Sequence, residues 1–334
     1  MNSHDNRNNS LNFIRLLAAF QVFSGHADTH LNLNLPDSVL NIFNTLQGVP
    51  IFFLISGFLI WASLEKTNDF RTFAKKRILR LYPELWGGVL LSVTSLLVLY
   101  RENIVLKPFI AWIFAQSTVL QFWTPDCLRE FGCGTPNGSL WTIGVMVQSY
   151  ILIWWLHRFL HKSSYRRWGI IIIAGAGINM LMSMLESYLP AILYKLLTQT
   201  FVPYIWIFII GAFINEYFDV LHGYLKKYWL PAFVFSIIVN CSGMDIGAYG
   251  TLKVLFLGPA VIGFAYKYKA FDIKHDISYG FYIYHMIVIN IMIEKGMVGH
   301  FSDLLFAFTV AVIIAVISYG SIGNLSRTMR KNIG

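Results

Sequence analysis

Arg15 and His26 stand in one apolar stretch, residues 11–28. Ionisable groups in such a stretch are costly and mark function by default. Eleven residues apart, they turn through about 1100°, which is three turns and about 20°, so both fall on one helix face about 16 Å apart along the axis. That stripe offers a cation toward one membrane surface and an imidazole past the middle. With an ordinary pKa near 6.5, an imidazole is suited to take a proton from a hydroxyl. The structural alternative has Arg15 snorkelling to lipid phosphate and His26 bonding a carbonyl in a packed bundle. Asp28 and His30 follow at the outer mouth, where a solvated loop accounts for them.

A second cluster lies in FRTFAKKRILRLYP, residues 70–83. Lys76, Arg77 and Arg80 share a helical face, and a guanidinium fork matches phosphate oxygens. Such a face suits a phosphorylated cofactor, or else anchors the chain on anionic lipid. Pro83 fits the first turn of the span that follows, where its missing N–H does no harm. Ser56-Gly57 permits close backbone approach in an apolar helix. Trp141 and Gln148 are the polar handles of another span. Ser278, Tyr279, Tyr282 and His285 fall late in the chain, with Ser278 and His285 seven apart on one face.

The elements that position these residues follow from composition. Of 334 residues, 56 % are hydrophobic and 13 % charged, against about 25 % charge in soluble domains. With 27 Phe, 17 Tyr and 10 Trp and only three cysteines, the chain is neither a soluble globular enzyme nor a disulfide scaffold. A span needs about 20 apolar residues. Ten stretches qualify: 11–28, 46–64, 82–100, 139–157, 169–187, 198–216, 229–243, 249–267, 278–294 and 302–322. A shorter stretch, 108–122, reads as re-entrant or interfacial. The apolar runs are continuous rather than alternating, which argues against a barrel. The expected fold is all-α, a polytopic membrane helical bundle forming one domain over residues 1–334.

With ten spans both termini face the cytoplasm, and 20 of the 26 Lys and Arg fall inside, Arg7 among them. Six fall outside: Arg101, Lys107, Arg129, Lys195, Lys253 and Lys295. The positive-inside rule supports this orientation. It places loop 123–138 outside with Cys127 and Cys133, which can pair in an oxidising compartment if geometry permits. The polar start MNSHDNRNNS does not read as a cleavable signal peptide.

Taken together the segments resemble the acyltransferase-3 family of integral membrane acyltransferases. The resemblance rests on Arg15 and His26; Phe52, Phe53, Ser56 and Gly57; Arg77, Arg80, Tyr82 and Pro83; Ser139, Leu140 and Trp141; and Ser278, Tyr279, Tyr282 and His285. The ordered set covers nearly the whole chain. It implies transfer of an acetyl group from acetyl-CoA, with no metal, to a hydroxyl of a cell-surface carbohydrate such as lipopolysaccharide O-antigen, in the bacterial inner membrane. It implies a stand-alone member without a fused extracytoplasmic hydrolase-like domain. His26 is then the general base beside Arg15. Arg77, Arg80 and Lys76 hold the phosphates of the donor, and Ser56, Trp141, Tyr282 and His285 are candidates for the substrate or oxyanion.

The sequence departs from the family where a glutamate usually follows the tryptophan by five residues. Met146 stands there, and Ser149 replaces an aromatic residue. Asp28, Glu84 and Gln148 are the candidates to stand in for the carboxylate. A transporter or flippase is the rival class, although no paired inverted halves are visible. An inactive acyltransferase-like scaffold is a third reading, for which Met146 is the best argument.

Overall fold

A computed structural model describes residues 9–36, 38–40, 46–67, 69–243 and 245–333. Arg7 and the polar start of the chain lie outside the described residues. Helix makes up 77 % of the described residues, which contain no strand. The main helices are α1 (Leu11–Leu31), α2 (Gly48–Leu64), α3 (Phe70–Leu99), α4 (Leu106–Gln116), α5 (Trp141–Leu160), α6 (Tyr165–Met184) and α7 (Ala191–Thr198). There follow α8 (Ile205–Glu216), α9 (Phe218–Ser242), α10 (Thr251–Lys267), α11 (Ser278–Glu294), α12 (Phe301–Ser318) and α13 (Asn324–Lys331).

Among the described residues, four helical segments are long and apolar enough to cross a membrane: Phe70–Leu99, Gly138–Leu160, Tyr165–Met184 and Phe301–Lys331. A fifth is reached if α8 and α9 count together. Residues 198–216 and 229–243, read above as two spans, instead supply this pair, bent by 107° at Tyr217. The shape is that of a broken span or a re-entrant loop. α4 has 11 residues, about 16 Å of helix, and is too short to cross a core about 30 Å thick.

The helices group into two compact, discontinuous units. The first comprises residues up to 18, 45–68 and 145–274; the second comprises 19–44, 69–144 and 275–334. α1 and α5 each contribute one part to each unit.

In the first unit α2 and α8 meet backbone to backbone. A Cβ on Gly57 would lie 2.1 Å from the carbonyl oxygen of Phe208, and one on Gly211 would lie 2.1 Å from that of Leu54. The Ser56-Gly57 pair therefore sits at a helix crossing that only bare backbone allows. Gly57→Ala is expected to cost at least the usual overpacking penalty, about 1–3 kcal/mol, seen as a lowered thermal midpoint in detergent. Gly177→Ala, where a Cβ would meet nothing within 4 Å, is expected to leave that midpoint in place.

In the second unit α11 packs on α12 and α3. Ala307, Ala311 and Ala315, one turn apart along α12, are fully buried, and a Cβ on Gly280 of α11 would meet Ala315 at 3.4 Å. Gly87 and Gly88 of α3 form a notch for Tyr284 and Ile283 of α11. Tyr284 Oη bonds Ser318 Oγ at 2.9 Å.

α3 corrects one expectation. It begins at Asp69, whose side chain accepts the Thr72 N–H at 2.8 Å, and runs unbroken through the basic cluster. Pro83 is thus inside the helix, not in its first turn. A proline cannot donate to the carbonyl four residues earlier, here that of Leu79. Ser326 Oγ, on α13, donates to that carbonyl instead. A second correction concerns α1, which stays helical to Leu31, so Asp28 and His30 lie on the helix and not in a loop.

Candidate active site

α11 begins at Ser278, whose N–H and Oγ both donate to Asp276 Oδ1, at 3.1 and 2.5 Å. The other oxygen of Asp276 accepts from Arg80 Nη2 at 3.2 Å. Tyr279 Oη donates to the Leu81 carbonyl at 2.8 Å, and Arg80 lies 6.0 Å from the centre of the Tyr279 ring. The start of α11 is thereby locked to the arginine face of α3. The guanidinium of Arg77 sits 5.5 Å over the Phe73 ring, and Lys76 is half-buried on the same helix. Tyr82 Oη and Trp86 Nε1 donate to the carbonyls of Thr118 and Ser117 just past α4, so the aromatic before Pro83 holds that short helix.

One turn into α11, Tyr282 is clamped to the start of α5. Its hydroxyl donates to the Ser139 carbonyl at 3.1 Å and lies 2.9 Å from Thr142 Oγ1. Ser139 Oγ reaches Asn137 Oδ1 at 2.8 Å and the Tyr282 carbonyl at 3.2 Å. Asn137 Nδ2 donates to the Ile283 carbonyl at 3.0 Å. Trp141, half-buried, is the first residue of α5 and neighbours Thr142. The single hydroxyl proton of Tyr282 is spent in this network, and the ring works as a strut between α5 and α11.

The strut positions His285, which is completely buried. Its Nε2 lies 2.9 Å from His26 Nδ1, with the two rings stacked 5.2 Å apart. His285 Nδ1 lies 3.3 Å from the Phe281 carbonyl. A carbonyl only accepts, so this nitrogen carries the hydrogen. His285 Nε2 then has a lone pair, and His26 Nδ1–H donates to it. That tautomer leaves the lone pair of His26 on Nε2. Phe23 and Phe281 wall the His285 ring, at 6.1 and 6.3 Å. The ring of His30 follows at 5.9 Å from that of His26.

Beyond the dyad, α11 anchors loop 123–138. Asn290 Oδ1 accepts the Cys133 N–H at 2.8 Å, and its Nδ2 donates to the carbonyls of Thr135 and Pro136, both at 3.0 Å. Glu294 Oε1 accepts the Gly132 N–H at 2.7 Å. Gly132 has φ +58° and rests against Asn290, leaving no room for a Cβ. Cys127 and Cys133 are free thiols, and burial pushes the Cys133 thiol up from its ordinary range.

A family model described as an acyltransferase domain matches residues 8–320. The chain belongs to the acyltransferase-3 family. As such it is an acyltransferase. It is similar to a protein named nodulation protein 10 from Rhizobium leguminosarum bv. viciae, 27 % identical over 322 residues that cover 87 % of this chain and 86 % of the relative. It is also similar to an O-acetyl transferase of Shigella phage Sf6, 30 % identical over 161 residues, covering 44 % of this chain and 45 % of that one. No solved structure matches.

In this acyltransferase the second unit brings together His26 and His285, ties Tyr282 to the segment holding Trp141, and sets Arg80 against the start of α11. Arg15 and Ser56 belong to the first unit; Arg15 is half-buried and Ser56 buried. None of the three candidates for the missing carboxylate is seen bonded to His26. Asp28 Oδ1 accepts the Leu35 N–H at 2.9 Å, and Glu84 is buried among the charges of Arg80, Arg327, Arg330 and Asp276. The amide of Gln148 is engaged with the backbone at Phe201 and Gln199. Ser149 Oγ turns back to the Val145 carbonyl at 2.8 Å. Asn137, Thr142 and Asp276 were not singled out from the sequence. Asp276 carried a signal, an acidic residue two before a helix-starting serine, which reads as a cap.

Proposed function

We propose that this acyltransferase transfers an acetyl group from cytoplasmic acetyl-CoA to a hydroxyl of a cell-surface carbohydrate, with His26 as the general base. The observation that carries the reading is the His26–His285 pair. It holds the half-buried imidazole of His26 in one tautomer and leaves the lone pair on its Nε2, in an enzyme whose family transfers acyl groups. The name of the phage relative, an O-acetyl transferase, supports acetyl as the group moved and oxygen as its destination.

In this mechanism His26 Nε2 takes the proton of the sugar hydroxyl as its oxygen attacks the thioester carbonyl. His285 Nε2 accepts from the Nδ1–H of the imidazolium that forms, the orienting part that a carboxylate plays in a triad. The tetrahedral oxyanion collapses, the C–S bond breaks, and the departing thiolate takes the proton back from His26. Trp141 is the proposed donor to the oxyanion. Arg15, eleven residues before His26 on α1, carries positive charge toward the thioester. Arg77, Arg80 and Lys76 hold donor phosphates through charge-assisted bonds.

The proposed setting is a multi-pass protein of the bacterial inner membrane with about ten spans and both termini in the cytoplasm. The excess of basic residues on the inside in that arrangement supports it. Incubating the purified protein with acetyl-CoA and lipid-linked O-antigen, followed by mass spectrometry of the glycan, tests the reading. An acetylated glycan is the expected product. A glycan left unchanged, from protein that acetyl-CoA fails to stabilise thermally, would overturn it.

A further inference from the structure

The last helix brings two more guanidiniums to the arginine face of α3. Residues Tyr319–Gly323, between α12 and α13, are π-helical, a form that often marks functional sites. Beyond them α13 packs on α3, and Ser326 bonds the carbonyl that Pro83 leaves open, that of Leu79. This clamp lies one residue from Arg80 on α3 and one residue from Arg327 on α13. Arg327 is set by its own segment: Nη2 donates to the Tyr319 carbonyl at 2.9 Å, and its guanidinium lies 3.8 Å over the Tyr319 ring. A Cβ on Gly323 would come within 3.2 Å of both Arg327 Nη1 and Glu84 Oε1, so the bare glycine makes room for these two charges. Arg330, one turn further, interacts electrostatically with Arg77, Arg80 and Arg327. Its Nε is buried without a hydrogen-bond partner among the described residues.

Four guanidiniums thus gather here: Arg80 pairs with Asp276, Glu84 lies among Arg80, Arg327 and Arg330, and Arg77 faces Arg330. Like charges held together in a partly desolvated place repel unless an anion joins them. With both carboxylates ionised, the four guanidiniums alone leave a surplus of two positive charges. Phosphate matches it in charge and in the bidentate geometry a guanidinium offers. We infer that Arg327 and Arg330 join Arg77 and Arg80 in one seat for a doubly charged phosphoester of a soluble donor. The inference rests on the proposal above that the Arg77/Arg80 face receives the phosphates of the acyl donor. It adds the C-terminal helix as the second wall of that seat.

The test uses the full-length protein in nanodiscs of neutral phosphatidylcholine, with inorganic pyrophosphate as the probe and the thermal midpoint as the readout. Pyrophosphate is expected to stabilise the wild type. Arg330→Gln is expected to need on the order of tenfold more of it. Arg330→Lys, which keeps the charge without the fork, is expected to fall between, and Lys331→Gln, on an exposed neighbour, to match the wild type. No stabilisation of the wild type, or an unchanged response in Arg330→Gln protein that elutes as a single species, would overturn the seat. So would stabilisation by anionic phosphatidylglycerol discs that Arg330→Gln removes and pyrophosphate cannot compete away, since the occupant would then be lipid. Acetyl-CoA is assayed alongside. If pyrophosphate binds through Arg330 but acetyl-CoA does not, the seat stands and the choice of donor falls.

Discussion

His26→Ala is expected to abolish acetylation of the carbohydrate acceptor while leaving the protein folded and able to bind donor. Removing a positioned general base costs about 10²–10⁴ in rate. Here the base is also the group whose second nitrogen is held by His285, at 2.9 Å. The measurement is the initial rate of acetyl transfer to the glycan by purified protein, paired with thermal stabilisation by acetyl-CoA. Because His26 acts on the acceptor hydroxyl, the stabilisation is expected to persist as the rate collapses. Transfer at the wild-type rate would remove His26 from the chemistry, and loss of both signals would make it a packing residue.

The second large effect is expected at His285, which is argued to act through His26 and is therefore a positioning residue. His285→Leu deletes the acceptor for the His26 Nδ1–H in a site walled by Phe23 and Phe281. An orphaned buried donor costs about 1–3 kcal/mol, and the imidazole loses both its tautomer and its orientation. A fall in kcat of about 10² is expected, with KM for the donor little changed. His285→Gln separates positioning from mere support. Its amide oxygen is able to accept from His26 Nδ1–H, and its NH2 to donate to the Phe281 carbonyl that now faces His285 Nδ1 at 3.3 Å. Glutamine is therefore expected to restore a large part of the rate that leucine loses. Equal loss in the two variants would refute the acceptor role, and full activity in the leucine variant would refute the pair.

Several parts of this site were legible in the chain. Periodicity alone puts Arg15 and His26 on one face of a helix, and α1 runs unbroken from Leu11 to Leu31. The spacing of Ser278, Tyr282 and His285 likewise places them along one helix, α11. The Ser56-Gly57 pair foretold a close crossing but not its partner, Phe208 on α8. Pro83 was misplaced because a proline signals only that its own N–H is missing. Whether the helix breaks there depends on what takes the stranded carbonyl, and the taker, Ser326, lies 247 residues from Leu79. The partner of His26 was hidden for a related reason: it is not an acid but another imidazole, from a helix 259 residues away.

The class of the molecule is written along the chain: apolar, helical and of the acyltransferase-3 family, with its basic residues gathered in a few segments. Composition, helical period and local spacing are properties of neighbours in the chain, and they survive without a fold. Which polar groups face each other is settled only by packing. It set His26 against His285, Arg80 against Asp276, and Tyr282 against Ser139 and Thr142. Those pairings arise because buried donors and acceptors must find partners wherever packing brings two helices together, and no local pattern records that choice.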